Sequence, residues 1–544
     1  MNKKFVLILS FFILLSCLMS VRFSLVEVKA PNGYPVHNLN TGLNYTTIQE
    51  AIDAPETLDG HTIFVEEGAY YENVYLNKTV TLIGENRETT IINASRVGNA
   101  LYVIANNVTV SNFTITGCEL GFQKTYGIYV NSSNNAFFNN IIAENNWGIG
   151  FDEAHNNTVS SNLIIDNLIG HYMEHSDNNT LKRNVLRNNS IGFYSIYSDC
   201  NVFDENIAET EEEAILVMDA NLCTFKRNTL IDNTIGFWIE KVSGCLFLEN
   251  SVVNNRVGVR FYGYSYDNII SHNNITGNEE GLFFHDTSRT TILHNTISKN
   301  NKGIAIYGGS SINVRLEIKY NSIINNTIGL WNSEYLQSKC AQVSQNNFIN
   351  NTVQAENEKQ AILQWNAEYP SGGNYWDDYV AKANDTYSGS FQNETGSDGI
   401  GDTSYFIDAN NKDNYPLMGM FSDFNATSEH HVQTICNSTI SNFQFNDTAI
   451  IFDVSGENGT TGFCRICIST TLMNGTYRVF VNGTEVSSNL LSCSNSTHSY
   501  LYFNYTHSTQ EVIIIPEFPL ATILPLFMTA TLLAVIVHKR KHTI

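Results

Sequence analysis

The sequence predicts an all-β fold: a right-handed parallel β-helix, then a small antiparallel β-sandwich and a C-terminal transmembrane segment. The first observation is a repeat, because between Asn134 and Lys339 the same residue types return about every 22 residues. The second is that apolar residues alternate over short runs, as in strands with one buried face. The third is that no proline lies between Pro55 and Pro370, which suits a ladder that uses every backbone N–H. Stacked rungs of three short strands satisfy all three observations.

The first element, residues 1–30, has the pattern of a secretory signal peptide. Lys3 and Lys4 precede an apolar run from Phe5 to Met19, and a small residue, Ala30, ends the segment. We therefore expect the remaining chain to be exported.

Residues 31–110 form the predicted N-terminal cap and first rungs. Tyr45–Asp53 predicts a short amphipathic helix, and His61–Val65 and Thr79–Gly84 predict strands. A helix at this end would cover the exposed edge of the first rung. The letters TIQEAID, TIFVEEGAYYENV and VTLIGE in this segment resemble the N-terminal entry of pectin-lyase-like β-helices. That resemblance implies the fold and carries no catalytic residue.

Residues 111–369 are the predicted repeats, and three columns recur in them. The first Asn column is Asn140, Asn162, Asn184, Asn206, Asn228, Asn250, Asn273, Asn295 and Asn321. The second is Asn145, Asn167, Asn189, Asn233, Asn255, Asn278, Asn300 and Asn326. The Gly column is Gly148, Gly170, Gly192, Gly236, Gly258, Gly281, Gly303 and Gly329. We expect the asparagines at corners, where they tolerate left-handed backbone and hydrogen-bond along the axis. We expect the glycines at bends that need a positive φ.

Residues 370–425 are the predicted C-terminal cap. They contain GNYWDDY, DGIGD and DNYPL in that order. This series resembles the closing segment of archaeal surface β-helix proteins of the NosD-like family, which is named for copper handling. The resemblance implies a secreted archaeal surface protein. Asp398 and Asp402 are candidate calcium ligands, and a plain Asp-Gly turn is the alternative.

Residues 426–512 alternate in period two, with Asn-Gly turns, and predict the β-sandwich. Four cysteines lie here, an even number in an exported domain, so we expect two disulfides of open connectivity. These are Cys436, Cys464, Cys467 and Cys493. In the repeats, Cys223 and Cys245 share one register, and a disulfide and a buried thiol pair both remain open there.

The tail has three parts: the PEFP linker (residues 513–519), an apolar segment (residues 520–538) and a basic end (residues 539–544). It resembles PEF-type sorting signals of archaeal surface proteins, which implies cleavage and lipid attachment by an archaeosortase-type enzyme. A simple membrane span is the alternative. Either way, we expect the protein at the outer face of the cell membrane or envelope.

Net charge restricts the partners. The formal charge is −23; residues 1–30 and 520–544 each carry +3, which leaves −29 on the exported part. Such a surface excludes nucleic acid and disfavours soluble polyanions unless a cation bridges them. Many Asn-x-Ser/Thr sequons, dense after residue 420, predict a glycoprotein.

One outer face of the repeats carries an aromatic stripe beside carboxylates. We predict that this face binds glycans or envelope components, because exposed aromatic stripes often mark ligand surfaces. Burial under another segment is the alternative. The candidate ligand-binding residues are Tyr172, Tyr194, Trp238, Phe283, Trp331 and Glu240.

Two further functions stay open. A polysaccharide lyase or glycoside hydrolase would need carboxyls at a set spacing, and Asp152 and Glu174 lie one rung apart. No nucleophile motif accompanies them, so a binding protein is favoured over an enzyme. His272 and His294 stack and could hold copper, but no Met-rich or Cys–His cluster accompanies them, so we expect no tight copper binding.

Overall fold

The computed structural model describes residues 29–31, 33–121, 124–308, 315–333, 341–358, 362–380 and 382–517. The apolar segment 520–538, the basic end and all but two residues of the predicted signal peptide lie outside these ranges. Within the described ranges, no helix is long and apolar enough to cross a membrane. The chain divides into two units, Met1–Tyr194 and Ser195–Ile544, which are taken separately below.

The N-terminal unit consists of three ladders of mainly parallel strands. Ladder A contains Leu43–Tyr45, Val36–Asn38, Thr62–Val65, Thr81–Gly84, Thr109–Ser111, Ala136–Phe138, Thr158–Ser160 and Thr180–Lys182. Ladder B contains Gly68–Tyr70, Thr90–Asn93, Thr114–Thr116, Ile141–Ala143, Leu163–Ile165 and Val185–Arg187. Ladder C contains Val74–Leu76, Leu101–Val103, Tyr126–Val130, Trp147–Asp152 and Ile169–Glu174. Strand Ile191–Ile196 crosses the boundary between the units. The unit is therefore a parallel β-helix, as predicted.

The C-terminal unit begins with three parallel ladders of the same kind. Ladder A contains Val202–Asp204, Thr224–Lys226, Leu246–Leu248, Ile269–Ser271, Thr290–Leu293, Leu316–Lys319 and Ala341–Ser344. Ladder B contains Ile207–Glu209, Thr229–Ile231, Ser251–Val253, Asn274–Thr276, Thr296–Ser298, Ser322–Ile324, Asn347–Ile349 and Tyr375–Trp376. Ladder C contains Glu213–Met218, Ile235–Glu240, Val257–Tyr266, Glu280–Ser288, Lys302–Tyr307, Ile328–Asn332 and Val353–Asn357. The described residues between 130 and 340 contain no α-helix.

Inward side chains stack rung upon rung because partners in a ladder are about one repeat apart. Phe225 pairs with Phe203 on one side and Phe247 on the other. The ring centroids are 4.9 and 4.7 Å apart, and all three side chains are buried. A regular column of one residue type thus becomes a continuous strip of core.

The Asn columns do form hydrogen-bonded ladders, but they do not supply the left-handed residues. Asn228 is fully buried, and its Nδ2 donates to Oδ1 of Asn250 at 3.0 Å. The left-handed residue is the one before it, Arg227, with φ of 53°. The same shift by one residue holds throughout the first column. The asparagines do lie at the corners, as predicted. They are needed there for their hydrogen bonds inside the turn and not for a left-handed backbone.

The expected reason for the glycine column is wrong. None of the column glycines has a positive φ in the described rungs. Instead, a Cβ on Gly258 would lie 2.6 Å from the carbonyl oxygen of Gly281 on the next rung. Glycine is needed here because the adjacent backbone comes too close for a side chain.

A short helix, α1 (Ile48–Asp53), lies at the start of the N-terminal unit. The Thr47 side chain caps it by accepting the N–H of Glu50, and Ile48, Ala51 and Ile52 are buried. The predicted amphipathic helix is confirmed.

The end of the C-terminal unit's β-helix is closed by the GNYWDDY segment. Asn374 continues the Asn ladder by accepting from Nδ2 of Asn346 at 3.0 Å. The buried Trp376 ring stacks on Phe348 at 4.3 Å and so covers the last rung. A single helical turn, α2 (Asp377–Val380), follows. Two small hairpins complete the cap: Tyr387–Ser388 with Glu394–Thr395, and Tyr405–Phe406 with Lys412–Asp413.

Two antiparallel five-stranded sheets share one core over residues 420–516. The first contains Met420–Asn425, His431–Cys436, Thr461–Ser469, His498–Thr506 and Ser488–Leu490. The second contains Thr439–Phe445, Ile450–Ser455, Gln510–Pro516, Tyr477–Val481 and Thr484–Val486. Strand Met420–Asn425, which the sequence places in the cap, pairs inside the first sheet.

The described cysteines are free thiols, and two of the four in this region are direct strand partners. Cys436 lies opposite Cys464 in the antiparallel register. Both are buried, and antiparallel partners have a Cα separation that a disulfide can bridge. In the repeats, the N–H of Cys223 donates to Sγ of Cys245, so the two side chains lie together, as both predicted alternatives require.

Candidate functional site

Ladder C of the N-terminal unit carries a run of seven contacting aromatic rings on its outer face, called here the N-terminal aromatic surface. Neighbouring ring centroids in this run lie 4.6–5.3 Å apart. In contact order the residues are Tyr75, Tyr102, Tyr129, Tyr126, Trp147, Tyr172 and Tyr194. Parallel pairing places one or two of these side chains on each successive rung. The result is an aromatic track along the helix axis.

Two carboxylates line one side of this surface. Asp152 and Glu174 are direct partners on adjacent strands. Oδ2 of Asp152 accepts the hydroxyl of Tyr129 at 2.8 Å, and Oε2 of Glu174 accepts the hydroxyl of Tyr172 at 2.8 Å. Each carboxylate therefore orients a ring and keeps other oxygen lone pairs for a ligand.

The cation Lys124 lies beside Glu174 and Tyr172. Lys124 Nζ donates to Oε2 of Glu174 at 2.8 Å and to the Tyr172 hydroxyl at 3.2 Å. It also lies over the Tyr172 ring, 4.7 Å from the centroid. The side chain of Lys124 is 51% exposed and that of Glu174 is 29% exposed, so the pair is accessible to a ligand.

These contacts decide the charge state of Glu174. The hydrogen bond from Lys124, with a second from Tyr172, holds the pKa of Glu174 below its usual value. Burial is the largest cause that raises the pKa of the Tyr172 hydroxyl, and its bond to Glu174 adds to that rise. Glu174 is thus an ionised acceptor at neutral pH, whereas a general acid in glycoside hydrolysis needs a raised pKa.

Ladder C of the C-terminal unit carries a second run, called here the C-terminal aromatic surface. It consists of Trp238, Arg260, Phe283, Tyr307 and Trp331. The Arg260 guanidinium carbon lies 4.5 Å from the Trp238 centroid and 5.3 Å from that of Phe283. Phe283 stacks on Tyr307 at 4.5 Å, and Tyr307 contacts Trp331 at 4.8 Å.

An ion pair between Lys302 and Glu280 lies beside Trp331, at one end of the C-terminal aromatic surface. Lys302 Nζ is 3.4 Å from the Trp331 centroid and 3.5 Å from Oε1 of Glu280. The Tyr307 hydroxyl also donates to Glu280. Trp331 is 7% exposed, so this predicted ligand residue is mostly covered. Glu240 is the strand partner of Tyr262, at the edge of the same face.

The structure thus places the predicted ligand residues in two groups, one in each unit. Tyr172, which is 5% exposed, and Tyr194 belong to the N-terminal aromatic surface. Trp238, Phe283 and Trp331 belong to the C-terminal aromatic surface, and Glu240 lies at its edge. Sequence reasoning missed the exposed start of the N-terminal run, including Tyr75 and Tyr102, which are 41% and 36% exposed. Tyr75, Tyr102 and Tyr129 recur at a spacing of 27 residues, a signal hidden by the shorter period chosen for the later repeats.

The carboxylate oxygens of the two calcium candidates accept hydrogen bonds from backbone N–H groups of the protein. Asp402 accepts the backbone N–H groups of Thr386 and Tyr387. Asp398 is fully buried and accepts the N–H of Ile400 at 3.0 Å. Burial raises the pKa of Asp398, which favours its protonated form. Calcium here stays a prediction, and the geometry is that of side chains closing turns.

The candidate copper residues lie on ladder A of the C-terminal unit. The His272 and His294 rings stack at 4.9 Å. Nδ1 of His272 is 2.6 Å from the Ser271 hydroxyl, and Nε2 of His294 is 3.4 Å from Oδ2 of Asp423. Across the described ranges, no group of three or more His, Cys, Asp or Glu side chains is arranged to hold a metal. Nδ1 of His431 lies 2.9 Å from the same Asp423 oxygen, and the expectation of no tight copper binding stays a prediction.

Comparison with known proteins adds one curated relative. The chain is 40% identical over 120 residues to a "Cell surface glycoprotein" of Methanothermus fervidus, covering 22% of this chain and 18% of that protein. The chain therefore matches less than a fifth of the length of that relative.

Solved structures with a similar fold include an epimerase and a glucanase. The A-module of mannuronan C-5 epimerase AlgE4 from Azotobacter vinelandii has a TM-score of 0.37 and 17% identity, covering 59% of this chain and 92% of that one. The catalytic unit of a GH87 alpha-1,3-glucanase from Streptomyces thermodiastaticus has a TM-score of 0.38 and 13% identity, covering 64% and 69%.

A family model described as "Periplasmic copper-binding protein (NosD)" matches residues 55–235 and 192–381. These two overlapping matches span more than half of the 544 residues. They include the ladders of both units and reach the GNYWDDY segment of the cap. The chain belongs to the NosD family.

Proposed function

We propose that this protein is a surface-displayed β-helix that binds glycans through the N-terminal aromatic surface. The observation that carries the proposal is the run of seven contacting rings, of which Tyr126 and Tyr172 are buried and five are partly or fully exposed, with two carboxylates beside it. Folding alone does not require rings such as Tyr75 and Tyr102 to stand in solvent.

The chemistry of the N-terminal aromatic surface matches that of a sugar chain. Aromatic rings offer flat apolar faces that pack against the C–H faces of pyranose rings, at little cost in conformational entropy. Carboxylate oxygens accept hydrogen bonds from sugar hydroxyls, and Glu174 is held ionised for that role. The rungs repeat about every 4.8 Å, so the surface can follow an extended polymer over several residues.

A location at the cell surface agrees with this function. The curated relative is called a cell surface glycoprotein, and the matched family is described as periplasmic. The exported part carries dense sequons and ends in the predicted membrane or sorting segment. We therefore place the protein at the outer face of the envelope, held by its C-terminus after archaeosortase-type processing or by a simple span.

A glycan array with the detergent-solubilised full chain tests this proposal. We expect Trp147→Ala to weaken binding of the best ligand at least about tenfold, because central aromatic residues dominate such interfaces. The matched control is Tyr71→Ala: Tyr71 is in the same unit, is 64% exposed and makes no ring contact in the described structure. Binding unchanged by Trp147→Ala, or equally weakened by both variants, would overturn the proposal.

The second candidate is a polysaccharide lyase or hydrolase, favoured by one observation: Asp152 and Glu174 are adjacent strand partners. Product analysis of the bound glycan separates the two functions. Glycan cleavage that is abolished by Glu174→Gln would establish the enzyme. Stable binding without products, with Glu174→Gln still bound, supports the binding protein. The lowered pKa of Glu174 favours the second outcome.

A copper-handling role is the third candidate, suggested by the family description alone. Copper titration of the full chain and of a His272→Ala, His294→Ala double variant tests it. We expect no tight site that the double variant removes, because the described residues contain no arranged group of three or more metal-ligating side chains.

A further inference from the structure

Arg260 is an unusual cation in this protein. It stands on ladder C between two strand partners, Trp238 on one rung and Phe283 on the next. Its guanidinium also lies 5.2 Å from the Tyr262 centroid, so three rings surround it. Stacking of this kind holds the planar guanidinium in one orientation.

No acidic partner neutralises Arg260. Within the described part of the chain, it makes no ion pair and no side-chain hydrogen bond, and its Nε is buried without an acceptor. The Nε1 of Trp238 beside it is also buried without an acceptor. Burial is the largest cause that raises the pKa of Glu213, and the positive charge of Arg260 opposes that rise. Glu213 nevertheless lies beyond ion-pair distance.

Two other cations that lie over aromatic rings in this unit do have carboxylate partners. Arg289 lies over Tyr266, as Arg260 lies over its rings, but it also makes two hydrogen bonds to Asp267, at 2.7 and 2.8 Å. Lys302 is paired with Glu280. What distinguishes Arg260 is that three rings hold its guanidinium while its Nε has no acceptor. Its open donors match an oxyanion in charge, and they can donate to two oxygens of a carboxylate or of a sulfate ester.

From this geometry we propose that Arg260 anchors an oxyanion, a carboxylate or a sulfate ester, on a saccharide lying along the C-terminal aromatic surface. The proposal rests on the proposed glycan-binding function and adds a second site with a stated ligand class. Trp238 and Phe283 flank the anion and would pack against the sugar rings on either side of it. The Nη groups of Arg260 donate to the anion. A ring-held cation without a carboxylate partner gives this acidic protein a local site for an acidic polymer.

The test uses three hexasaccharides on one backbone: one with a carboxylate on every repeat, one with those carboxyls reduced to alcohols, and one with the alcohols sulfated. Binding to the full chain is measured by calorimetry in low and moderate salt. We expect one of the two anionic forms to bind about 10- to 100-fold tighter than the neutral form, a preference that falls with added salt. The form that binds more tightly identifies the oxyanion.

Variants assign the preference to this residue. Arg260→Ala should remove the anionic preference, so that acidic and neutral hexasaccharides bind alike, and Arg260→Lys should restore only part of that preference, because lysine lacks the planar fork. Arg289→Ala is the matched control and should change nothing. Thermal unfolding of each variant checks that the β-helix remains folded.

The outcomes separate the two levels of the proposal. Equal affinity for neutral and anionic forms, or a preference that survives Arg260→Ala, overturns the Arg260 site and leaves the general glycan proposal standing. Failure of all three hexasaccharides to bind, with tight binding of an acidic peptide that Arg260→Ala abolishes, overturns the saccharide ligand.

Discussion

The Asn ladder makes a quantitative prediction about Asn228, which is fully buried in the C-terminal unit. Its Nδ2 donates to the Phe203 carbonyl at 2.9 Å and to Oδ1 of Asn250 at 3.0 Å. Its Oδ1 accepts both the backbone N–H and the side-chain N–H of Asn206, each at 3.0 Å. One carboxamide therefore makes four hydrogen bonds between three rungs. Asn228→Ala removes all of them.

The cost follows from what the substitution leaves behind. The Asn206 N–H loses its partner where water has no access, whereas the Phe203 carbonyl stays in the parallel ladder beside Lys226. An unsatisfied buried group costs about 1–3 kcal/mol. Oδ1 of Asn250 is not stranded, because it still accepts the backbone N–H of residue 228 at 3.0 Å. We expect the free energy of unfolding of this unit to fall by that amount.

Stacked rungs need not unfold in one step, so the assay should be local as well as global. Hydrogen exchange at the Asn206 amide reports the opening of that turn, and guanidinium unfolding followed by circular dichroism reports the unit. The control is Asn301→Ala, which removes an exposed carboxamide that makes no hydrogen bond in the described structure. It should change stability by no more than about 0.5 kcal/mol. An Asn228→Ala variant as stable as this control would refute the reasoning.

Four further predictions concern other parts of the chain. Gly258→Ala should destabilise the β-helix by about 1–3 kcal/mol in denaturant unfolding, because its Cβ would lie 2.6 Å from a backbone oxygen; an unchanged midpoint would contradict this. Burial raises the pKa of Asp423, but two histidines lower it further, so its net pKa is below the usual value. Its stabilising contribution is present above the unfolded-state pKa and lost as pH falls through the folded-state pKa, so Asp423→Asn should flatten the acid side of a stability–pH curve. Peptide mapping of exported protein should find Cys436 linked to Cys464, since they are direct strand partners, and free thiols at both positions would exclude the disulfide. Truncation after Pro516 should release the protein into the medium, whereas a truncated form that stays cell-bound would exclude the C-terminal anchor.

Much of the fold could be predicted because the β-helix repeats its chemistry. The Asn columns predict the turns, and the alternating apolar residues, such as Phe203, Phe225 and Phe247, predict the inward stack. Backbone conformation was harder to predict. The left-handed φ falls on the residue before each asparagine, where charged residues such as Arg227 also stand. The column identifies the asparagine whose side chain makes hydrogen bonds inside the turn. It does not show that the preceding residue has the left-handed backbone conformation.

The candidate site was predicted only in part. The outer position of Tyr172 followed from its register, but the start of the N-terminal aromatic surface lies in rungs of a different length. Lys124 belongs to no column, and its bond to Glu174 joins residues 50 positions apart. Contacts of this kind depend on how connecting segments fold back over a rung, and sequence spacing does not encode them.

By itself, the sequence determined the rung, the columns and the closing cap, because each is a local pattern repeated until its meaning is unambiguous. Only the tertiary structure decided which outward side chains act together. It grouped the rings of the N-terminal unit with three ionisable partners, Asp152, Glu174 and Lys124, and it left Arg260 among rings without a carboxylate. The physical reason is that side-chain pairing depends on distances of a few ångströms between rungs, whereas the repeat specifies only the column in which a side chain stands.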